Sequence, residues 1–244
     1  MNTAERIIKA LSSRAVNDEI TDITIGRIYA AVTLKSGGFG VAHLEGAHGT
    51  HRASPQPDAE NGVGDLTDML FRLGDAKPLA SALGCAAAAA LAAADIGPLP
   101  EGDVLDRLAV SDGDRVVMVG GFPIEEALRE RGAALSVYDR SRGLGDMDEL
   151  PTKLHDADLV IVTATAIINN TIDDILKQIR RARETVILGP STILAPEAFR
   201  YTPVTRLFGV VFRDASASRQ AIADGGGTRS FIRYAKKVEA AVPG

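Results

Sequence analysis

Residues 158–162 read DLVIV, and this apolar run passes directly into Thr163-Ala164-Thr165 and a predicted helix. A strand without polar alternation is buried on both faces, which is typical of a parallel sheet covered by helices. The same unit of apolar strand and helix recurs before and after it, so the sequence predicts a parallel sheet of about five strands from about residue 112 onward. The predicted strands span residues 114–119, 134–138, 158–162, 185–188 and 207–212, and the predicted helices span residues 123–131, 170–183, 216–223 and 229–241.

The N-terminal part of the chain carries a different pattern. Apolar residues at helical spacing predict a first helix with Thr3 as its N-cap. A β-rich stretch follows, and Ser36-Gly37-Gly38 predict the turn of a hairpin. The predicted elements are a helix over residues 3–14, the β-rich stretch over residues 21–46, a loop over residues 46–64 rich in His, Gly and Pro, and a helix over residues 77–94.

These two patterns predict the fold class and the division of the chain. We expect an α/β protein with a small N-terminal α+β domain over residues 1–98 and a Rossmann-like parallel sheet over residues 99–244. The junction is expected near residues 98–112, where Pro and Gly separate the two patterns.

Charge and cysteine content narrow the class of protein. The chain has 244 residues, with 27 Lys plus Arg, 32 Asp plus Glu and a net charge of −5. Proteins that bind nucleic acid without sequence preference usually have more basic than acidic residues on the binding face, which this composition does not indicate. Cys85 is the only cysteine, so no intrachain disulfide can form and a reducing cytoplasm is expected. Residues 1–14 do not resemble a signal peptide, and the longest apolar run, residues 84–94, is too short for a bilayer. We expect a cytoplasmic protein with no nucleic-acid or membrane partner.

Ligands of open α/β sheets bind beyond the carboxyl ends of the strands, so the residues that follow each strand are the candidate site. Gly120 and Gly121 follow the first predicted strand, where glycine lets the backbone approach a ligand. Asp139 ends the second strand, at the position of a ribose-binding acid in dinucleotide folds. The alternative is a tight turn with a solvated Asp139, and since G-x-G-x-x-G is absent, classical NAD binding is not favoured.

Hydroxyl and amide side chains follow the third and fourth strands. Thr163, Thr165 and Asn169 come after the third strand, and a helix N-cap explains only a neighbour such as Asn170. Helix capping is the alternative role for these residues, but it does not explain Thr163, Thr165 and Asn169 together. Ser191 and Thr192 come after the fourth strand, as pocket residues or as a turn with a helix cap.

Three consecutive glycines, residues 225–227, precede Thr228 and Arg229. Their N–H groups are candidates for an anion cradle, with Gly227 next to the predicted helix and Arg229 as the counter-charge. The alternative is the end of one helix followed by the start of another, for which one glycine is enough.

Three of the four histidines, His43, His48 and His51, lie within nine residues of one another. Imidazole is a common ligand of transition metals, so this cluster is the candidate metal site. No tight motif such as H-E-x-x-H is present, and solvated loop histidines are the alternative. Cys85, inside an alanine-rich helix, is expected to be a small core residue.

The last third of the chain resembles the putative heavy-metal chelation family. The segments that carry the resemblance are DLVIVTATAIINNTIDDIL (158–176), VILGPSTILAPEAF (186–199) and DGGGTRSFIRYAKKV (224–238). The resemblance implies a small domain similar to the N-terminal domain of enolase, joined to a Rossmann-like domain. It also implies binding of a metal or a metal complex in the cleft between the two.

Our leading hypothesis is a binding protein for a small anionic ligand or a chelated heavy metal in the interdomain cleft. The alternative is an enzyme, a transferase or lyase that uses a nucleotide-type cofactor, and a third hypothesis is a scaffold with a vestigial cleft. No cofactor is identified beyond a candidate transition metal, and homo-oligomerisation stays open. The candidate ligand-binding residues are Gly120, Gly121, Asp139, Thr163, Thr165, Asn169, Ser191, Thr192, Gly227 and Arg229, and the candidate metal ligands are His43, His48 and His51.

Overall fold

A computed structural model describes residues 1–44 and 65–244 of the chain. The strands are β1 (Ile20–Ile25), β2 (Tyr29–Leu34), β3 (Phe39–His43), β4 (Arg115–Val119), β5 (Ala134–Tyr138), β6 (Leu159–Thr163), β7 (Glu184–Leu188), β8 (Arg206–Phe212) and β9 (Ala235–Ala241). The α-helices are α1 (Thr3–Ala15), α2 (Leu66–Leu70), α3 (Pro78–Ala94), α4 (Val104–Arg107), α5 (Glu125–Glu130), α6 (Leu150–Asp156), α7 (Thr165–Ile168), α8 (Ile172–Gln178), α9 (Ala215–Ala223) and α10 (Thr228–Phe231). Short 3₁₀ turns span Arg140–Arg142, Pro196–Phe199 and Ile232–Tyr234.

The larger sheet has six strands in the order β5-β4-β6-β7-β8-β9. The first five strands are parallel, which confirms the predicted parallel sheet. Their apolar runs are buried because helices cover both faces, as the absence of polar alternation predicts. The carboxyl ends of these parallel strands define the carboxyl edge of the sheet, and their starts define the amino edge.

The prediction of a helix over residues 229–241 is wrong, because most of this segment forms the sixth strand, β9. Only Thr228–Phe231 is α-helical, and Ala235–Ala241 pairs antiparallel with β8. Ala, Lys and Glu favour helix locally, but Val238 and Ala240 alternate with polar residues and are buried on the sheet. Tertiary pairing overrides the weak helix propensity, and the lysines suit a strand at a sheet margin.

Helix boundaries also differ from the predictions. The N-cap of α1 is Asn2, whose side chain forms a capping box with Glu5, whereas Thr3 hydrogen-bonds Asp173 of α8. The helix predicted over residues 170–183 is shorter, because α8 spans only Ile172–Gln178 and Asn170 adopts a left-handed conformation with φ 61° that separates it from α7. Asparagine tolerates this conformation better than most residues.

The N-terminal sheet, in the order β1-β2-β3, is antiparallel and is covered on both faces. Its first face packs on α3 so closely that a Cβ built on Gly40 would stand 2.2 Å from the carbonyl oxygen of Ala86. Its second face carries Tyr29, Phe39 and Val41, which form a separate core cluster with residues of the segment Ala215–Phe231. The C-terminal segment therefore completes the cover of the N-terminal sheet. The division into domains 1–98 and 99–244 stays a prediction.

The apolar helix α3 is a core element, as expected. Its residues from Ser81 to Ala92 are all buried against the N-terminal sheet and neighbouring helices. Among the described residues, no helix is long and apolar enough to cross a membrane.

Ion pairs lie along the amino edge of the larger sheet, and one of them lowers the pKa of a carboxylate. The Arg115 guanidinium donates to both carboxylate oxygens of Asp158 at 2.9 Å, and the Arg115 backbone N–H donates to the same group. These hydrogen bonds hold the pKa of Asp158 well below its usual range. A carboxylate with a lowered folded-state pKa stabilises the fold above its unfolded pKa of about 3.9, and this contribution is lost as the pH falls.

We therefore expect Asp158→Asn to lower the free energy of unfolding at neutral pH and to flatten its dependence on pH in acid. The slope of the unfolding free energy against pH, below about pH 4, should fall by the equivalent of up to about one bound proton. The reason is that the variant lacks one carboxylate whose pKa differs between the folded and unfolded states. Urea unfolding between pH 7 and 2 measures this. Asp174→Asn, at an exposed aspartate paired with Lys177, is the control. An unchanged pH slope in Asp158→Asn would contradict the prediction.

Candidate functional site

The strand order reverses between β4 and β6, and this is the switch point at which ligands of open α/β sheets bind. Gly120 follows β4 with φ 103°, and a Cβ built there would stand 2.7 Å from the Cβ of Thr163 at the end of β6. Glycine is therefore required both by the backbone angle and by the close approach. Gly120, Gly121 and Thr163 thus lie at the carboxyl edge, and their role in binding a ligand stays a prediction.

Asp139 joins this group but uses its carboxylate within the protein. It accepts hydrogen bonds from the Gly121 N–H at 2.9 Å, the Ser141 hydroxyl at 2.6 Å and the Arg142 N–H at 3.2 Å. Burial raises the pKa of Asp139, but these hydrogen bonds and the nearby Arg142 outweigh it and the pKa is lowered. The Asp139 side chain connects the loop after β5 to the loop after β4. A ribose hydroxyl would therefore have to compete with these three donors for the Asp139 carboxylate.

The helix after β4 also disfavours a nucleotide phosphate. It was expected over residues 123–131, but α5 is shorter and carries Glu125 and Glu126 in its first turn. Carboxylates at a helix N-terminus complement the helix dipole themselves and would repel a phosphate group. Together with the bonded Asp139, this arrangement weakens the hypothesis of a nucleotide-type cofactor.

The hydroxyls after β6 lie side by side. The Thr163 and Thr165 hydroxyl oxygens are 3.0 Å apart, and both residues are half-buried. Thr165 belongs to α7 rather than to a loop, which orients its side chain toward the strand end. Asn169 is exposed at the far end of α7, where its Oδ1 accepts from the Thr171 hydroxyl at 2.7 Å. Asn169 is therefore separated from the threonine pair by the length of this short helix.

The loop after β7 reaches the N-terminal hairpin. Ser191 and Thr192 are buried there, and the Ser191 hydroxyl accepts a 3.0 Å hydrogen bond from the backbone N–H of His43. The Ser191 carbonyl accepts from the Cys85 thiol at 3.6 Å. The Thr192 hydroxyl is buried and has no hydrogen-bond partner among the described residues. His43, at the end of β3, is thereby fixed at the carboxyl edge of the larger sheet.

Tyr29 extends this contact to the glycine-rich segment. Its ring meets the His43 ring edge-on at 5.3 Å, and its hydroxyl lies 2.8 Å from the Thr228 hydroxyl. We name Tyr29, His43, Ser191 and Thr228 the His43 cluster. The sequence interpretation missed Tyr29 and Thr228, because a tyrosine within an apolar strand carries no local sign that its hydroxyl meets a residue 199 positions away.

The glycine run is used mostly to end a helix. Gly225 has φ 79°, and the N–H groups of Gly225 and Gly226 donate to the Ile222 and Ala221 carbonyls at 2.9 Å, which is the Schellman pattern. Two of the three N–H groups expected to cradle an anion are thus already bonded. At Gly227 a Cβ would find its nearest neighbour at 3.5 Å, so packing does not explain this third glycine.

Arg229 is exposed one residue beyond Thr228, and within residues 1–44 and 65–244 it pairs with no carboxylate. The alternative partner Asp224 instead accepts a hydrogen bond from Gln220 at 2.9 Å. Arg229 therefore stays a candidate counter-charge for an anionic ligand.

Comparison with protein families agrees with this architecture. One family model, DUF4213, matches residues 8–92 and a second, DUF364, matches residues 103–241, and both are described as putative heavy-metal chelation. The chain belongs to this family, whose description is putative heavy-metal chelation. No curated protein matches the chain.

Solved structures of two DUF364 proteins share the fold. A DUF364 protein of unknown function from Pyrococcus horikoshii superposes with a TM-score of 0.85 at 22% identity, covering 99% of this chain and 100% of its own. A second such protein, from Desulfitobacterium hafniense DCB-2, gives a TM-score of 0.83 at 19% identity, covering 98% of this chain and 97% of its own. Both similarities concern the fold.

The family name raises the question of which residues fit a metal. Within residues 1–44 and 65–244, no group of three His, Cys, Asp or Glu side chains could hold a metal ion. His43 is described, and its predicted co-ligands His48 and His51 lie outside the described residues. Cys85 sits in α3, on the other face of the N-terminal sheet, where burial raises its pKa to about 12 and disfavours the thiolate that binds metals. Of the three predicted metal ligands, His43 alone lies among the described residues, and these residues form no metal site around it.

A surface cavity of about 460 Å³ lies away from this edge. Its lining includes Arg115, Arg129 and Lys153, near the starts of β4 and β5. Arg115 already pairs with Asp158, and Arg129 donates to a backbone carbonyl, so two of these cations serve the fold. None of the residues predicted to bind a ligand lines this cavity.

Removing the Ser191 hydroxyl should loosen the contact between hairpin and sheet. We expect Ser191→Ala to lower the free energy of unfolding by about 1–3 kcal/mol, because the partly buried His43 N–H loses its acceptor. Urea unfolding and hydrogen exchange at the His43 amide measure the effect, and Ser13→Ala at an exposed helical serine is the control. Equal stability and equal exchange in the two variants would count against this role of Ser191.

Proposed function

We propose that the protein binds a small anionic ligand, and specifically a chelated heavy-metal ion, in the cleft between the N-terminal hairpin and the carboxyl edge of the larger sheet. The observation that carries the proposal is the hydrogen bond from the His43 N–H to Ser191. It holds a residue type that ligates transition metals beside the hydroxyl-bearing ends of the parallel strands.

The charge of the surrounding groups supports an anionic ligand. Arg229 is exposed and pairs with no carboxylate in the described part of the chain. Arg27, also exposed, lies against the same glycine run, since a Cβ built on Gly225 would stand 3.6 Å from the Arg27 Cβ. Arginine binds carboxylate and phosphate groups through paired N–H donors, so two such residues suit a ligand that carries carboxylates or phosphates.

A chelated ion suits a site built around His43 because the chelator supplies most of the metal's ligands. A bare transition metal usually takes three or four protein ligands, whereas a chelated ion brings most of its own. His43 would complete the coordination sphere of the bound metal, the hydroxyls of Thr163 and Thr165 would orient the chelator, and Arg229 would balance its charge, while Ser191 holds the His43 backbone. The heavy-metal chelation name of the family agrees with this assignment. A cytoplasmic site stays part of the proposal, in keeping with the single buried Cys85.

Native mass spectrometry and elemental analysis of the purified protein test this function directly. We expect a bound metal together with an organic anion, released on denaturation. Melting temperatures with Ni²⁺, citrate and nickel citrate should rise most with the complex, because a ligand that binds only the folded state stabilises it. Stabilisation by ATP or NAD alone would favour the enzyme hypothesis. No stabilisation by any of these ligands, with no co-purified species, would favour a vestigial cleft.

A further inference from the structure

The space over Gly121, at the switch point of the larger sheet, is filled by an arginine. A Cβ built on Gly121 would stand 2.4 Å from the Nη1 of Arg142 and 3.0 Å from its Cζ, so the guanidinium lies against the Gly121 backbone. In dinucleotide folds, a glycine after the first strand lets the phosphates of the ligand approach the backbone at this point. Here the close approach is made by a positive charge of the chain itself.

Asp139 holds Arg142 in this place. Its carboxylate accepts the Arg142 backbone N–H at 3.2 Å and lies 3.6 Å from the Arg142 Nε. The same carboxylate accepts the Gly121 N–H at 2.9 Å, which keeps the two loops side by side. The guanidinium is therefore oriented by Asp139 at its Nε and by Gly121 at its Nη1.

The guanidinium of Arg142 also has donors that the described part of the chain leaves unbonded. Within residues 1–44 and 65–244, neither of its terminal nitrogens donates a hydrogen bond. The side chain is 60% exposed, so a ligand can reach it. Two N–H groups in a planar fork match the two oxygens of a carboxylate, or two oxygens of a phosphate. Arg142 thus carries the donor geometry of an anion-binding residue at the switch point.

Hydroxyl groups stand on the other side of the two glycines. A Cβ built on Gly120 would stand 2.7 Å from the Thr163 Cβ, and the Thr163 hydroxyl lies 3.0 Å from that of Thr165. Because consecutive Cα atoms are about 3.8 Å apart, the glycine pair keeps the Thr163 hydroxyl within roughly 12 Å of the guanidinium. One small organic anion can therefore contact the arginine and the threonines together.

Carboxylates near Arg142 distinguish one class of anion from another. Asp139 contacts the guanidinium itself, and Glu125 and Glu126 open α5, the helix that follows Gly121. Their repulsion acts more strongly on a phosphate group, which carries up to about two negative charges, than on a carboxylate group, which carries one. The charges around Arg142 therefore favour a carboxylate.

We propose that Arg142 binds a carboxylate group of the ligand at the switch point, and that this position prefers a carboxylate to a phosphate. The inference rests on the proposed function and names the chemical group that the site recognises. The terminal nitrogens of Arg142 donate to the carboxylate, while the hydroxyls of Thr163 and Thr165 bond a further oxygen of the same molecule. Citrate carries both kinds of oxygen and is a suitable probe.

Calorimetric titration with citrate, at constant ionic strength, tests the role of Arg142. Arg142→Gln should weaken citrate binding by about 10- to 100-fold, because a charge-assisted contact is lost. Arg140→Gln is the matched control, since it removes the same charge from an exposed side chain of the same 3₁₀ turn. It should bind citrate within about 2-fold of the wild type, because exposed charges away from the contact are screened.

A second variant moves the guanidinium without removing it. Gly121→Ala places a methyl group 2.4 Å from the Arg142 Nη1, and the flexible end of the arginine must swing away. Every charge of the chain is kept, so a loss of citrate affinity of about 5-fold or more would come from the displaced guanidinium.

Two further probes test the preference for a carboxylate. Malonate and phosphonoacetate have the same skeleton, and in the second a phosphonate replaces one carboxylate. The wild type should bind malonate about 5-fold or more tightly than phosphonoacetate, because the phosphonate carries the larger negative charge. Equal affinities, or tighter binding of phosphonoacetate, would overturn the preference.

The remaining outcomes separate this inference from the proposed function. Wild-type citrate affinity in Arg142→Gln or in Gly121→Ala would overturn the role of Arg142 and leave the proposed function standing. Equal losses in Arg140→Gln and Arg142→Gln would do the same, because the effect would then be one of net charge. If the wild type does not bind citrate, the inference is overturned, whereas the proposed function is decided by the metal and the anion that co-purify with the protein.

Discussion

Gly40→Val is expected to lower the free energy of unfolding by about 3 kcal/mol or more, at the upper end of what overpacking a core costs. A Cβ at this position would stand 2.2 Å from the Ala86 carbonyl oxygen and 2.3 Å from the Ala90 nitrogen. Both atoms belong to the backbone of α3, so no side-chain rotation relieves the clash. The hairpin must move off the helix, and His43 at the end of the same strand must move with it.

Urea unfolding measures this effect, and a glycine elsewhere provides the control. Gly97 has no atom within 4 Å of a built Cβ and does not have a left-handed backbone. Gly97→Val should therefore unfold within about 0.5 kcal/mol of the wild type, as surface substitutions usually do. If Gly40→Val has the same urea midpoint of unfolding as the wild type, the hairpin does not pack on α3 as closely as described.

Arg229→Ala is expected to weaken the binding of an anionic ligand by about 10- to 100-fold with almost no change in stability. A hydrogen bond to a charged group contributes about 1.5–3 kcal/mol, and each 1.4 kcal/mol is a tenfold change in affinity. The side chain is exposed, so its removal opens no core cavity. Sulfate titration by calorimetry measures the affinity, and thermal unfolding measures the stability.

Two further variants distinguish a direct contact from a general loss of charge. Arg233 is also exposed and lies over the ring of its neighbour Tyr234 at 4.8 Å, so Arg233→Ala removes one positive charge close by. We expect it to weaken sulfate binding far less than Arg229→Ala, and we expect Arg229→Lys to recover part of the affinity. Similar losses in the two alanine variants would mean that Arg229 acts only through the net charge.

The parallel strands could be predicted from the sequence because each needs only a local pattern. The apolar run over residues 159–162 is buried on both faces, as a parallel strand in the interior of a sheet requires. The last strand could not be predicted in the same way. Residues 235–241 contain good helix formers, and only the exposed margin of β8 makes them a strand. Local helix propensity does not predict the structure of a segment whose backbone hydrogen bonds come from a neighbouring strand.

Part of the candidate site could likewise be predicted from local sequence, and part of it depends on contacts between distant segments. Gly120, Thr163 and Ser191 each follow a strand, so the crevice rule alone brings them to one edge. Asp139 followed the same rule, but its hydrogen bonds to the neighbouring loop depend on geometry that spacing does not encode. Tyr29 and Thr228 lie in different parts of the chain, and no short-range signal connects their hydroxyls.

The cover of the N-terminal sheet by Ala215–Phe231 has a consequence for synthesis of the chain. The ribosome releases β1 to β3 long before it makes their second cover, so the apolar face that carries Tyr29 and Phe39 has no native partner until most of the chain has emerged. Contacts this distant in sequence form slowly and leave apolar surface open to aggregation in the meantime. A nascent chain stalled before residue 215 should bind chaperones, whereas the finished chain should release them.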